Sequence, residues 1–237
     1  MKKPVYVCLV CILLSSFNLL AAQSSGAVFD FSNAQQFMND GNGRPLFVHN
    51  EFEIQGTPFY YDDYCVANLK VRRGKTYTGI KVKLNLQENL VIYDAGDGKE
   101  MAASSPIDRI EFIYCSDPAK NKVVVSGYPA VDKQDESSFY VLLDSGKVSL
   151  LKYIMVNYRD TKNYGSANTT RVFDQKELYY TYVPGKGMAR LLKDNAAVLL
   201  LLNNKKTALE KFMAANDIKC RREDDLVKVF AYYNSLN

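Results

Sequence analysis

The chain has 237 residues, 47% hydrophobic and 24% charged, a balance that excludes a disordered chain and fits one large globular domain or two small ones. Its 30 basic and 26 acidic side chains give a formal charge of +4. Lys2 and Lys3 lie in a segment expected to be removed, which leaves 28 basic against 26 acidic residues, or +2. These cations are spread among carboxylates, so a nucleic-acid partner, which needs clustered cations, is excluded.

Met1-Lys-Lys-Pro4 is a positive n-region, Val5 to Leu20 is almost wholly apolar, and Ala21-Ala22-Gln23 offers small residues for cleavage. Residues 1–22 therefore read as a signal peptide, and the protein is expected to be exported to the periplasm or the extracellular side of the envelope. Ser15, Ser16 and Asn18 make the run a poor membrane anchor. Cys8 and Cys11 sit inside the apolar core, and Cys11 follows Val10, where lipid attachment needs a small residue. No later stretch is long and apolar enough to span a membrane.

Residues 23–44 are polar and glycine-dotted, and read as a loosely attached arm. The β domain is expected over 45–187. It opens with Pro45-Leu-Phe-Val48 and with Gly56-Thr-Pro-Phe-Tyr-Tyr-Asp-Asp-Tyr64, a turn that Pro58 keeps out of a central strand. From Val66 to Tyr114 the pattern is that of antiparallel strands. Ala67, Leu69 and Val71 alternate with Asn68, Lys70 and Arg72; Ile80, Val82, Leu84 and Leu86 alternate with Lys81, Lys83, Asn85 and Gln87. Between them Arg73-Gly74-Lys75 predicts a short turn in which the glycine takes a positive φ. Leu90 to Tyr93 is a third strand, Asp94-Ala-Gly-Asp-Gly98 a turn, and Ile110, Phe112 and Tyr114 alternate again.

Val123 to Val125 predicts another strand, Ala130 to Ser137 a charged loop, and Ser138 to Tyr153 a second hairpin bent at Asp144-Ser-Gly146. Asp160 to Thr170 reads as an exposed polar loop and Glu177 to Val183 as the last strand. From Met188 the period becomes helical, and residues 188–237 are expected to be helices packed on the β domain. Asp194 to Leu202 predicts a short helix buried on most sides. Asn204 is the expected cap of a second helix carrying Leu209, Phe212 and Met213, and a third runs from Arg222 to Leu236 with Leu226, Val229, Phe230 and Tyr233 on one face. The fold class is thus α+β: a mostly antiparallel β meander, sandwich or barrel-like, under a C-terminal helical cap.

Gly56-Thr-Pro-Phe-Tyr60, Gly74-Lys-Thr-Tyr77, Val82-Lys-Leu-Asn-Leu86, Asp97-Gly-Lys-Glu100, Leu143 to Lys152 and Glu223 to Asn234 resemble an uncharacterised family of exported, signal-peptide-bearing Bacteroidota proteins. The resemblance covers most of the mature chain. It implies export and a β-rich domain with a helical C-terminus, and it carries no activity.

Catalytic chemistry finds little support. His49 is the one histidine; a dyad with Cys65 or Cys115 would make a thiol hydrolase, but no motif surrounds either cysteine. No zinc-type spacing exists, Asp94 to Gly98 departs from a calcium loop, and no cofactor is expected. Asn168-Thr-Thr170 matches a glycosylation acceptor read as accidental. Of Cys65, Cys115 and Cys220, an odd set, the favoured state is reduced and buried, with a Cys65–Cys115 bridge as the alternative.

The compositional excess is aromatic: 17 Tyr and 12 Phe with no Trp. Tyr180 and Tyr182 are explained by one sheet face. Tyr60, Tyr61, Asp62, Asp63 and Tyr64 combine rings with carboxylates on one loop, which suits a contact with another envelope protein. The expected function is therefore non-catalytic binding. The alternative is a barrel-like pocket for an apolar or sugar ligand, against which the missing tryptophan counts. Oligomeric state is left open.

Overall fold

The alternating runs fold as strands of one sheet. The computed structural model describes residues 31–45, 52–96, 98–115, 122–162 and 169–236. The signal peptide at 1–22, His49, Asp97 and Asn168 lie outside those residues. In chain order the strands are β1 (Gly43–Pro45), β2 (Phe52–Gln55), β3 (Cys65–Val71), β4 (Thr76–Asn85), β5 (Leu90–Asp94), β6 (Glu100–Ala103), β7 (Ile107–Tyr114), β8 (Val123–Val125), β9 (Tyr140–Asp144), β10 (Ser149–Lys162), β11 (Thr169–Val183) and β12 (Gly187–Leu191). The helices are α1 (Phe31–Phe37), α2 (Asn195–Leu201), α3 (Lys206–Ala215) and α4 (Glu223–Ser235). This is the expected α+β class, with the sheet open rather than closed. No helix among the described residues is long and apolar enough to cross a membrane.

The strand order is β1-β6-β5-β4-β3-β7-β8-β9-β10-β11-β12, antiparallel throughout, with β2 parallel to the start of β11. Two meanders therefore run outward from β3. Residues 104–106 alone join β6 to β7, although β5, β4 and β3 lie between them. Four strand spacings in a flat sheet would need roughly 19 Å, whereas that connection reaches at most about 14 Å. The sheet must curl, and its concave side is filled: Leu69, Ile80, Val82, Leu84, Tyr93 and Ile110 are all essentially inaccessible.

Part of the stretch expected to be a loose arm closes this curl. Ala34 and Phe37 of α1 are buried in the same core, with the Phe37 ring edge-on to Tyr77 at 5.0 Å and Tyr93 at 4.9 Å. Tyr77 donates to Asp40 at 2.7 Å and accepts from the Asn42 amide at 3.1 Å, so the polar residues that suggested an arm are spent on anchoring it. In the 73–75 turn the left-handed residue is Arg73 (φ 54°) rather than Gly74. Gly74 matters for space instead, since a Cβ there would stand 3.1 Å from Val71 Cγ1.

Cys65 and Cys115 are bonded to each other, which corrects the expectation of buried thiols. Pairing of Val66 with Tyr114 across β3 and β7 brings the neighbouring cysteines to a Cα separation of 4.6 Å, close enough to bridge. Cys220 remains a buried free thiol, pushed up to about 11 by burial and then by the Asp225 and Asp194 charges.

The second half of the sheet is covered on both sides. The outer face holds Tyr140, Leu151 and Tyr180 under the segment 127–138, from which Tyr128 and Val131 pack down and Asp132 accepts from the Tyr180 hydroxyl at 2.8 Å. Tyr182 shares that face, as the two-residue period requires. The inner face carries Val148, Leu150, Tyr179 and Leu191 against Val198, Leu202, Leu209, Met213, Leu226, Val229 and Phe230 of the helical region. Asp194 caps α2, accepting from Ala197 N at 2.7 Å. This helix is not buried on most sides, however: Val198 and Leu202 face the core while Leu200 is 75% exposed. Asn204 does not cap α3; it accepts from the Tyr233 hydroxyl at 3.2 Å, tying α4 to the turn between α2 and α3. The change of period at Met188 comes too early, because β12 needs pairing on one flank only and continues to Leu191. Of the loop expected over 160–170, the described residues are strand, with β10 and β11 paired out to Lys162 and Thr169.

Asn234 fastens the cap to the β9–β10 turn. Its amide donates to Val148 O at 2.9 Å and Asp144 Oδ2 at 2.6 Å and accepts from Val148 N at 3.1 Å. Two stability outcomes are expected. Replacing Cys65 and Cys115 by Ala lowers the unfolding free energy by about 2–4 kcal/mol in urea titrations, because a 50-residue closure is lost from the unfolded chain. Gly146→Ala sets a Cβ 2.6 Å from Asn234 Cγ and lowers stability by about 1–3 kcal/mol, with a smaller further loss when Asn234→Ala is added.

Candidate functional site

The loop 56–64 lies where the curled half of the sheet meets the helix-covered half. Gly56 enters it with φ +73°, and a Cβ there would stand 2.6 Å from Phe173 O, so glycine is required by both conformation and space. Two sets of bonds then hold the chain. Gln175 of β11 donates to Thr57 O at 3.2 Å and Phe59 O at 3.3 Å. On the other side Tyr60 N donates to Leu84 O at 2.9 Å, and Leu86 N to Pro58 O at 2.8 Å. The loop does not project; it is laid along β4 and strapped to β11.

Each residue singled out in the sequence takes a different position. Tyr60 and Tyr61 are half-buried, with ring centroids 4.3 Å apart, and both pack on Phe112 of the curled core. Tyr64 is half-buried and donates to Glu100 at 2.6 Å, while Lys83 stands 5.4 Å above its ring and 4.6 Å from that of Phe59. Asp62 and Asp63 are exposed at the crest. The aromatic members thus anchor the loop and the acidic pair is presented to solvent.

Beside the loop is a polar cluster that the sequence reading passed over. Lys152 of β10 has 13% of its side chain exposed; its Nζ lies 3.1 Å from Glu177 of β11 and 2.7 Å from Glu223, the first residue of α4. The Tyr179 hydroxyl is 2.9 Å from a carboxylate oxygen of each glutamate and shares its one proton between them. One ammonium and one phenol therefore bridge two carboxylates, one from the sheet and one at a helix start, where the dipole favours negative charge. Lys193 stands 4.8 Å over the Tyr179 ring. A signal was present: Lys152 occupies an inward position between Leu150 and Ile154, where an unpaired charge would be costly.

Burial pulls the Lys152 ammonium toward its neutral form, but the bonds and charges of Glu223 and Glu177 outweigh it and hold its pKa above that of an ordinary lysine. For Glu177, burial raises the pKa, and the Lys152 and Tyr179 bonds more than offset this, leaving it below the usual 4.5. Burial, then the Glu177 and Glu223 bonds, pushes the Tyr179 phenol well above the ordinary tyrosine value. Burial, then a bond with Tyr61, does the same for Tyr60, which also feels Glu223 and Glu177. At neutral pH the Lys152 ammonium and the Tyr179 phenol keep their protons, and together they tie the sheet to α4.

No family model, curated protein or solved structure matches this chain. Its site is therefore weighed on its own geometry. The thiol dyad loses its nucleophile, because Cys65 and Cys115 occupy each other and Cys220 is buried. An open cleft of about 220 Å³ lies at the 104–106 crossing, lined by Arg72, Asn89, Ser105 and Phe139 among others, and Arg72 is already paired with Asp108 at 2.7 Å.

Lys152→Met leaves two carboxylates facing each other and should lower stability at pH 7 by about 1–3 kcal/mol. The pH dependence carries the signature. Glu177 contributes stability that is complete above the ordinary value of 4.5 and is lost as pH falls through its lower folded value. In Lys152→Met that dependence reverses, because protonating either glutamate now relieves repulsion, so the deficit against wild type narrows between pH 7 and pH 4 in thermal melts.

Proposed function

We propose that the protein is an exported, non-catalytic interaction protein of the bacterial envelope, its export being what the resemblance to the exported Bacteroidota family implies, and that it meets another envelope protein through the crest of the loop 56–64. The observation that carries this reading is the division of labour within the loop. Tyr60, Tyr61 and Tyr64 fix it to the body, and backbone bonds to β4 and side-chain bonds from β11 hold its course, so that Asp62 and Asp63 are offered in a set geometry. A loop held before binding loses little freedom on binding. The exposed acid pair favours a partner with a basic patch.

Two further features support the reading. The Cys65–Cys115 bond suits an oxidising compartment, in line with the signal-peptide pattern of residues 1–22. A ligand pocket between sheet and helices draws less support, because the facing side chains Leu150, Tyr179, Val198, Phe230 and Leu226 fill that interface, and the open cleft at the crossing, about 220 Å³, is smaller than the roughly 300 Å³ at which ligand sites begin.

Crosslinking in the native envelope tests the contact. Replacing the tyrosines would disturb the core, so the informative variant is Asp62→Lys with Asp63→Lys, both exposed. The wild type should yield a discrete crosslinked partner and the double variant should lose at least about tenfold of it with an unchanged melting curve. An unchanged crosslinking pattern in the folded variant rules this loop out as the contact.

A further inference from the structure

The strands β10 and β11 are 14 and 15 residues long, against three to ten for every other strand. β11 pairs with β10 without a register break from Ser149 to Lys162. On its other flank β10 is paired with β9 only at Leu150, Leu151 and Lys152. Among the described residues no strand is paired with that flank from Ile154 to Lys162, a stretch of about 30 Å. Residues 157–162 are exposed, and Tyr158 is 47% exposed.

A strand flank is a row of backbone donors and acceptors that another strand satisfies best, and proteins usually blunt such flanks by keeping them short, bulged or interrupted by proline. The terminal strands of this sheet obey that rule, β1 with three residues and β12 with five. The β10 flank does not: it is long, regular and free of proline. The arm it belongs to is also thinly supported, since beyond the helix-covered body it consists of the hairpin and the four-residue β2, with one aromatic strip formed by Tyr158, Phe173 and Arg171. Two-stranded ribbons gain stability from a further strand.

We propose that two copies of this chain associate through the β10 flank, Ile154 to Lys162 pairing antiparallel with the same residues of the second copy about a two-fold axis at Tyr158. The charge sequence supports a second copy as occupant. About Tyr158, the midpoint of the flank, Tyr158 faces itself, Val156 faces Asp160, Ile154 faces Lys162, Asn157 faces Arg159 and Met155 faces Thr161. No like charges meet, each pair lies on one face of the extended sheet, and the two-fold axis makes every contact occur twice. Axes at Arg159 or Asp160 would set like charges directly against each other. The pairing would join two arms into a continuous sheet and leave the loop 56–64 of each copy free, so this inference stands or falls separately from the loop contact.

Sedimentation of the mature chain over a wide concentration range tests it, using the wild type and Asn157→Arg. Asn157 faces Asp174 on its own β11, a carboxylate already paired with Arg159, so an arginine there shares that carboxylate within the chain while meeting Arg159 of the second copy twice. The wild type should show a monomer–dimer equilibrium, and Asn157→Arg should weaken it on the order of tenfold without lowering the melting temperature. Tyr158→Cys supplies an independent readout: under mild oxidation it should form a disulfide-linked dimer much faster than Leu200→Cys, which is also exposed but lies on α2. A wild type that stays monomeric at millimolar concentration overturns the pairing. So does a dimer that neither responds to Asn157→Arg nor crosslinks through position 158.

Discussion

The architecture depends on β3 serving two meanders at once. Its left and right flanks are both taken, by β4 and β7, and its inward residues Ala67 and Leu69 are buried from both sides. Because the chain returns to β3 after only three residues beyond β6, the sheet has no flat alternative. The curl, the filled interior and the plugging of that interior by Phe37 follow from this one return. The Cys65–Cys115 bond makes the return permanent by closing β3 to the end of β7, and both cysteines are buried in the same core.

A second tie joins the two halves. The helices have few apolar residues to spare beyond those on the inner face of the sheet, and their position over it is indexed by Glu223 reaching Lys152. Removing one member of such a group strands the others away from water, and here the pairings are complete only with Glu223 over Lys152 and Tyr179. The tyrosine hydroxyl between the two carboxylates completes that arrangement. The loop 56–64 adjoins this junction, so its placement depends on both halves of the protein being docked.

Much of this was legible in the residues. The alternation in β3, β4 and β7 and the helical spacing of Leu226, Val229, Phe230 and Tyr233 report one buried face each, which is what periodicity detects. What escaped detection has physical causes. The outer part of β10 is exposed on both faces, and Thr169 and Thr170 of β11 are polar although shielded, so Asp160 to Lys162 and Thr169 to Thr170 look like loop although their backbones are paired. β12 has too little buried surface to show a period. Residues 31–45 put their polar side chains into anchoring bonds, and composition cannot tell such bonds from solvation. For the site, the loop residues were visible as a cluster, but their roles were not: Tyr60 and Tyr61 pack rather than project because of Phe112, which is distant from both in sequence. The Lys152 cluster unites three segments and has no local motif.

The contact made by Asn234 has a kinetic side. It links residues 86 and 90 positions apart, Val148 and Asp144, and it supplies both a donor and an acceptor to a turn that must already be shaped to receive them. Distant contacts of this kind form late, after local hairpins have reduced the search. The last turn of α4 finds its seat only on a correctly registered β9–β10 corner, so a register error there would leave the Asn234 bonds unmade and the inner sheet face less well covered.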